Sequence, residues 1–218
     1  MINRVYILVF LFTSIFGVAH AQKDPNAKAV LDAVSKKYQS LAGMKATFEY
    51  SYAMSGESAQ SQSGEIAIKG DKYHLVLPEQ GQEIFNNGKT VWTFINSGGY
   101  KEVTINNSNE MEDELKPSSV YTIYQKGYNY KLLGEKNING VLVQEIELKA
   151  EKSGAPFKKV NLWVDKNKKD LVGWEITDDQ GGKLKYQFKS VDTSLKLADD
   201  YFVFNPQKHG KVEIIDLR

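Results

Sequence analysis

The sequence predicts a mostly β protein of one domain, a strongly curved antiparallel sheet or barrel with few helices, and three observations carry that expectation. Between Gly64 and Ile95, Ile66 and Ile68 alternate with Glu65, Ala67 and Lys69, while Tyr73, Leu75 and Leu77 alternate with Lys72, His74 and Val76. A period of two sends one apolar set to one face of a sheet. Around ten such runs follow one another, separated by turns rich in Asn and Gly that suit antiparallel reversal. A clear period of 3.6 is confined to Lys28–Leu41, where Val30, Leu31, Val34, Tyr38 and Leu41 share a stripe and Gly43 stops the helix.

In chain order, Met44 to Met54 alternates Met44, Ala46, Phe48, Tyr50, Tyr52 and Met54 against Lys45, Thr47, Glu49 and Ser51, which predicts a long half-buried strand. Small polar residues over 56–63 predict a hairpin loop. Residues 65–69 and 72–77 are the next strands, and Asn86-Asn87-Gly88-Lys89 turns the chain into Val91–Ile95. Ser97-Gly98-Gly99 leads to a strand over Tyr100–Ile105. The texture then breaks, and 109–116 and 118–126, on either side of Pro117, are expected as two short helices. Val120, Tyr121, Thr122 and Ile123 are poor helix formers. Strands resume over 128–133, 141–149, 158–164, 171–177 and 183–191, with short closing strands at 201–204 and 211–215.

Residues 1–21 carry Arg4, an apolar run from Val5 to Phe12 and Ala19-His20-Ala21, the pattern of a cleavable secretory signal peptide. The run is short for a membrane span. The mature domain is therefore expected over 22–218, and a chain of that size buries about 70% of its unfolded surface. Cysteine is absent, so packing rather than disulfides must hold the fold, and a lipid anchor on a cysteine is not expected. Without the leader, basic and acidic residues balance at 27 of each, which argues against nucleic acid as a partner.

Chemistry-bearing constellations are sparse. His20 leaves with the leader, His74 occupies the strand face opposite Tyr73 and Leu75, and His209 stands in the tail. Glu110, Glu112, Asp113 and Glu114 lack the alternating spacing and internal glycine of a calcium loop, and suit a solvated helix start. Gly98-Gly99 and Gly181-Gly182 read as hairpin glycines. Neither an enzyme nor a metal or cofactor site is expected. What stands out is the apolar and aromatic inventory of the strands, compatible with an ordinary filled core and equally with a ligand cavity.

Taken in order, these segments resemble the LolA family of periplasmic lipoprotein carriers. The resemblance runs through the N-terminal helix, the Phe48 strand, Gly64-Glu65-Ile66-Ala67-Ile68-Lys69, Tyr73-His74-Leu75 and Asn87-Gly88-Lys89-Thr90-Val91-Trp92-Thr93-Phe94. It closes on Leu197–Phe204, Pro206 and Val212-Glu213-Ile214. It implies an unclosed antiparallel β-barrel covered by the N-terminal helix and two short central helices. Acyl chains would lie on Phe48, Tyr50, Tyr52, Ile66, Ile68, Tyr73, Leu75, Leu77, Trp92 and Phe94, under a lid bearing Met111, Leu115, Val120 and Ile123. The implied partners are acylated lipoproteins, an inner-membrane ABC-type release complex and an outer-membrane acceptor. The carrier itself would be a soluble periplasmic monomer that touches membranes only in passing. A lipid-sensing module like RseB, the alternative, would carry a second C-terminal domain; the receptor LolB would need an anchor cysteine. One departure is plain: the family's Arg-Pro after the second strand, whose Arg latches the lid, is Gly70-Asp71 here. Neither residue offers a guanidinium fork.

Overall fold

A computed structural model describes residues 23–54, 56–110, 119–153, 155, 157–178 and 180–218. The proposed leader, Met111 and Leu115 lie outside the described residues. Among those described, twelve strands form one sheet: β1 (Met44–Ala53), β2 (Gln60–Lys69), β3 (Lys72–Leu77), β4 (Gln82–Asn86), β5 (Thr90–Ser97), β6 (Tyr100–Asn107), β7 (Tyr128–Ile138), β8 (Val141–Ala150), β9 (Lys159–Asp165), β10 (Leu171–Thr177), β11 (Lys183–Asp192) and β12 (Glu213–Asp216). Their order is β12-β6-β5-β4-β3-β2-β1-β11-β10-β9-β8-β7, so the outermost strands do not meet and the sheet stays unclosed. Every pair is antiparallel except β12 with β6, which run parallel. That pair corrects the all-antiparallel expectation.

The turns follow their residues. Gly70 takes φ +58° at the first position of the β2–β3 turn, where a left-handed residue matches the strands' twist. Asn139 and Gly140, both at positive φ, join β7 to β8, so that β7 runs on to Ile138 rather than ending near 133. Register shifts at Thr47/Phe48, Leu132/Gly134 and Leu171/Gly173 add the local bends that curl a sheet.

Among the described residues, α1 (Pro25–Gln39) is the one α-helix, and it starts three residues before the expected Lys28. Asp24 explains the earlier start: its carboxylate accepts from the Asn26 N–H at 2.8 Å, with Pro25 at the first helical position. The same carboxylate accepts from the Leu132 N–H at 3.0 Å, while the Asp24 N–H donates to the Tyr130 carbonyl at 3.0 Å. These backbone donors hold the Asp24 carboxyl below its usual range. Ala27, Val30, Leu31, Val34 and Tyr38 are buried against the concave side of the sheet.

Other expectations need correction. The hairpin after β1 is shorter than 56–63, because Tyr50 and Tyr52 pair with Gln62 and Gln60. β4, unforeseen, fills the space between β3 and β5. No α-helix covers 119–126, where Ile123–Gln125 form a 3-10 turn, in keeping with the β-branched residues there. Of the expected 109–116 helix, Asn109 and Glu110 belong to another such turn, Ser108–Glu110, and the rest lies outside the described residues. The strand expected at 201–204 is replaced by the 3-10 turn Asp199–Phe202.

The segment after β11 is a strap across the convex face. Lys69 and Lys72 clamp Asp199 at 2.8 Å each and hold its carboxyl down at about 2. Tyr201 meets His74 edge-on, Phe204 packs on Phe85 and Phe94, and Lys101 donates to the His209 carbonyl at 2.8 Å before the chain ends in β12. A second, smaller core of Phe85, Phe94, Val103 and Phe204 forms beneath it.

Candidate functional site

Strand register determines which side chains face inward. Phe48 and Tyr50 on β1 stand opposite Phe188 and Tyr186 on β11, and Trp174 and Ile176 on β10 stand opposite Tyr186 and Leu184. On the other flank Met44 pairs with Ile68, and Ile66 with Leu75. Directly paired residues share a face, so these strands build one continuous concave apolar surface.

That surface is not filled. A hollow of about 270 Å³ lies over it. Its aliphatic flank is Met44, Ile66, Ile68, Leu75 and Leu77; its aromatic flank is Phe48, Tyr50, Trp174, Tyr186 and Phe188, with Leu171, Ile176, Leu184 and Val160 between. Tyr38 of α1, Phe157 and the segment Ser119, Val120, Tyr121 and Ile123 complete the walls. Gly64 helps to leave the space open. The Phe48 ring lies flat over it, and a Cβ there would sit 2.4 Å from Phe48 Cζ. The covering pieces are tied to each other: Tyr121 stacks on Tyr38 with centroids 5.4 Å apart, and the Tyr124 hydroxyl donates to Asp32 at 2.7 Å.

Among the described residues, none that lines the hollow is charged. The polar atoms are hydroxyls and an indole N–H. Tyr38 accepts from the Leu171 N–H at 3.0 Å, and burial pushes its phenol up to about 12. At the rim, Tyr50 donates to Gln62 and accepts from Gln80 at 2.8 Å; burial raises its pKa, and Glu79 nearby adds to the rise. Burial likewise raises Tyr186, whose ring is stacked between Tyr50 and Trp174 at centroid separations of 5.9 and 4.8 Å. Such a lining can desolvate apolar chains and meet a few neutral acceptors. Among the described residues there is no group of three or more potential metal ligands, and no helix is long and apolar enough to cross a membrane.

Of the residues expected to hold acyl chains, Phe48, Tyr50, Ile66, Ile68, Leu75, Leu77, Val120 and Ile123 line the hollow. Tyr73 shares their core but sits below the hollow, 2% exposed. Tyr52 lies at the outer end of β1, 52% exposed. Trp92 and Phe94 are elsewhere: they pair with Phe85 and Glu83, across from His74 and Val76, and so belong to the convex face under the strap. Met111 and Leu115 are outside the described residues. The aromatic flank on β10 and β11 escaped sequence reasoning as part of the site. Its alternation, Leu184, Tyr186, Phe188, is visible in the chain, but the β1–β11 pairing that brings it beside Phe48 is not.

No curated protein matches the chain. Among solved structures, an uncharacterized conserved protein from Thermus thermophilus aligns at a TM-score of 0.59 and 11% identity, over 88% of this chain and 99% of that one. The fold is shared with it. LolA superfamily protein NE2245 from Nitrosomonas europaea matches at 0.42 and 14% identity over 82% and 97% of the two chains, and LprF from Mycobacterium bovis at 0.48 and 14% over 81% and 100%. The family model for the outer membrane lipoprotein carrier protein LolA matches residues 39–205, from the end of α1 to the strap. The chain belongs to the LolA family.

Proposed function

We propose that this protein is a periplasmic carrier that shelters the acyl chains of lipoproteins between two membranes. Its first 21 residues direct export and are removed. It accepts cargo from an inner-membrane ABC-type release complex and delivers it to an outer-membrane acceptor, as a monomer in passing contact with each membrane. The observation that carries this reading is the apolar hollow on the concave face, whose described lining bears no charge. Each methylene left bare in water costs about 0.8 kcal/mol, so a multiply acylated protein cannot cross an aqueous gap unshielded.

At about 270 Å³ the hollow is smaller than the ~300–1,000 Å³ of small-ligand pockets, so taking up an acyl chain asks it to widen. Loading therefore requires the covering segment around Val120–Ile123 to move. A carrier that must also unload needs closed and open states of similar free energy. Where the family uses an Arg latch, Tyr124 to Asp32 and Tyr121 on Tyr38 hold the cover here. These are neutral or singly charged contacts, and weaker than a bidentate fork.

Two measurements test the reading. Protein purified from the periplasm and extracted with solvent should yield acyl chains; clean extracts would refute carriage. In spheroplasts, Ile68→Glu and Leu75→Glu should each abolish release of lipoprotein into the medium. Leu75 is half-buried, so its variant retains the fold, which circular dichroism checks. Normal release by a folded Leu75→Glu protein would remove the hollow from the mechanism.

A further inference from the structure

The polar hydrogens of the hollow are not all spent. Tyr50 uses its hydroxyl on Gln62 and Gln80 at the rim. Tyr186 and Trp174, stacked side by side on the aromatic flank, keep theirs: among the described residues nothing accepts from the Tyr186 hydroxyl or the Trp174 indole N–H. Neither atom is shut inside the protein, since the buried polar side-chain atoms left without a partner are Asn161 Oδ1 and Thr177 Oγ1. A tyrosine and a tryptophan in a wall that could have been Phe, Leu or Ile give the described lining two spare donors and no cation. The charge that acts on the neighbouring Tyr50 is Glu79, an anion.

A saturated chain offers such donors nothing, but its point of attachment does. Esters and amides present a carbonyl that accepts hydrogen bonds and carries no charge. Burying that oxygen away from water loses affinity unless a donor meets it. An ionised carboxylate needs more than donors, and it would enter a cavity with no positive side chain among its described lining residues and with a carboxylate beside its rim. We infer that Tyr186 and Trp174 form a donor pair for a neutral acyl carbonyl, so that the hollow selects esterified or amidated chains over free fatty acids. The inference rests on the carrier reading and adds the chemistry of the attachment point to it. It also supplies a reason for discrimination, because free fatty acids are the same hydrocarbon without the same linkage.

Three amphiphiles of one chain length separate the terms: 1-decanoylglycerol with an ester carbonyl, 1-decylglycerol with an ether and no carbonyl, and decanoate, which is ionised at pH 8. Their binding to the delipidated protein is measured by calorimetry below micellar concentrations. The expected result is ester over ether by about fivefold or more, the effect of one to two hydrogen bonds, and ester over decanoate by about tenfold or more. In Tyr186→Phe and Trp174→Phe, which preserve the aromatic stack, the ester-to-ether preference should fall toward one. Equal binding of ester and ether, decanoate binding as tightly as the ester, or a preference undiminished in both variants would overturn the donor pair while leaving the carrier intact. Failure of all three amphiphiles to bind the parent protein would overturn both.

Discussion

Tyr38 shows how one side chain can be both wall and fastening. Its ring closes the hollow and stacks on Tyr121, and its hydroxyl receives the buried Leu171 N–H. Tyr38→Phe keeps the ring but orphans that donor, so it should cost about 1–3 kcal/mol of stability in denaturant titrations. The phenol also couples the fold to alkali. Its pKa is about 12 in the folded protein against 10.0 for the free group, so the folded state holds a proton that the unfolded state gives up. Stability is complete below pH 10 and declines as pH rises from 10 toward 12. Tyr38→Phe should flatten that decline. Gly64 and Gly173 make the matching case for absent side chains. Ala at 64 would drive the Phe48 ring into the hollow, which should weaken ligand binding while the fold survives. Ala at 173 would meet the Tyr186 carbonyl at 2.4 Å, a backbone atom that cannot swing aside. Thermal melts should therefore rank Gly173→Ala as the less stable of the two.

Strands were legible where alternation was strong, as in Met44–Tyr52, Ile66–Ile68 and Tyr73–Leu77, since a period of two is a local property of the chain. β4 was not, because Gln82-Glu83-Ile84-Phe85-Asn86 shows little alternation and becomes a strand by filling a place between β3 and β5. The Tyr201–Phe204 error has the opposite origin. Phe202 and Phe204 are both buried and two apart, which mimics a strand, yet they anchor a strap that crosses strands instead of joining them. For the site, six of the expected residues line the hollow because β1, β2 and β3 are consecutive hairpins, whose register follows from their turns, while Val120 and Ile123 reach it from the covering segment. Trp92 and Phe94 belong to the opposite face because β4 intervenes between β3 and β5 and sets the alternation across the Asn86–Lys89 turn, a step that no local pattern announces. Their true setting gives a separating test. Phe204→Ala should destabilise the protein by about 3–5 kcal/mol by emptying the convex core, and should leave the ester-to-ether preference of the hollow unaltered. A changed preference would mean that the two faces are coupled.

The fold has two sides with different duties, a concave side left partly hollow and a convex side bolted down by ion pairs and by the strap. This division lets the inner face give way without the sheet doing so. Closing the ring would have removed both edges, but an open sheet keeps a free margin along β7, which α1 partly guards through Asp24. The wall draws its local bends from the register shifts in β1, β7 and β10 rather than from closure.

The parallel β12–β6 pair makes assembly of this sheet non-local. β12 docks beside β6, a partner made much earlier, and the strap before it seals Phe85 and Phe94 from solvent. Since β6 is made long before β12, this margin of the sheet can be completed only once the strap between them has been laid down. Folding of the convex face thus waits on a contact between distant parts of the chain, which should make this edge slower to form than the hairpins beside it.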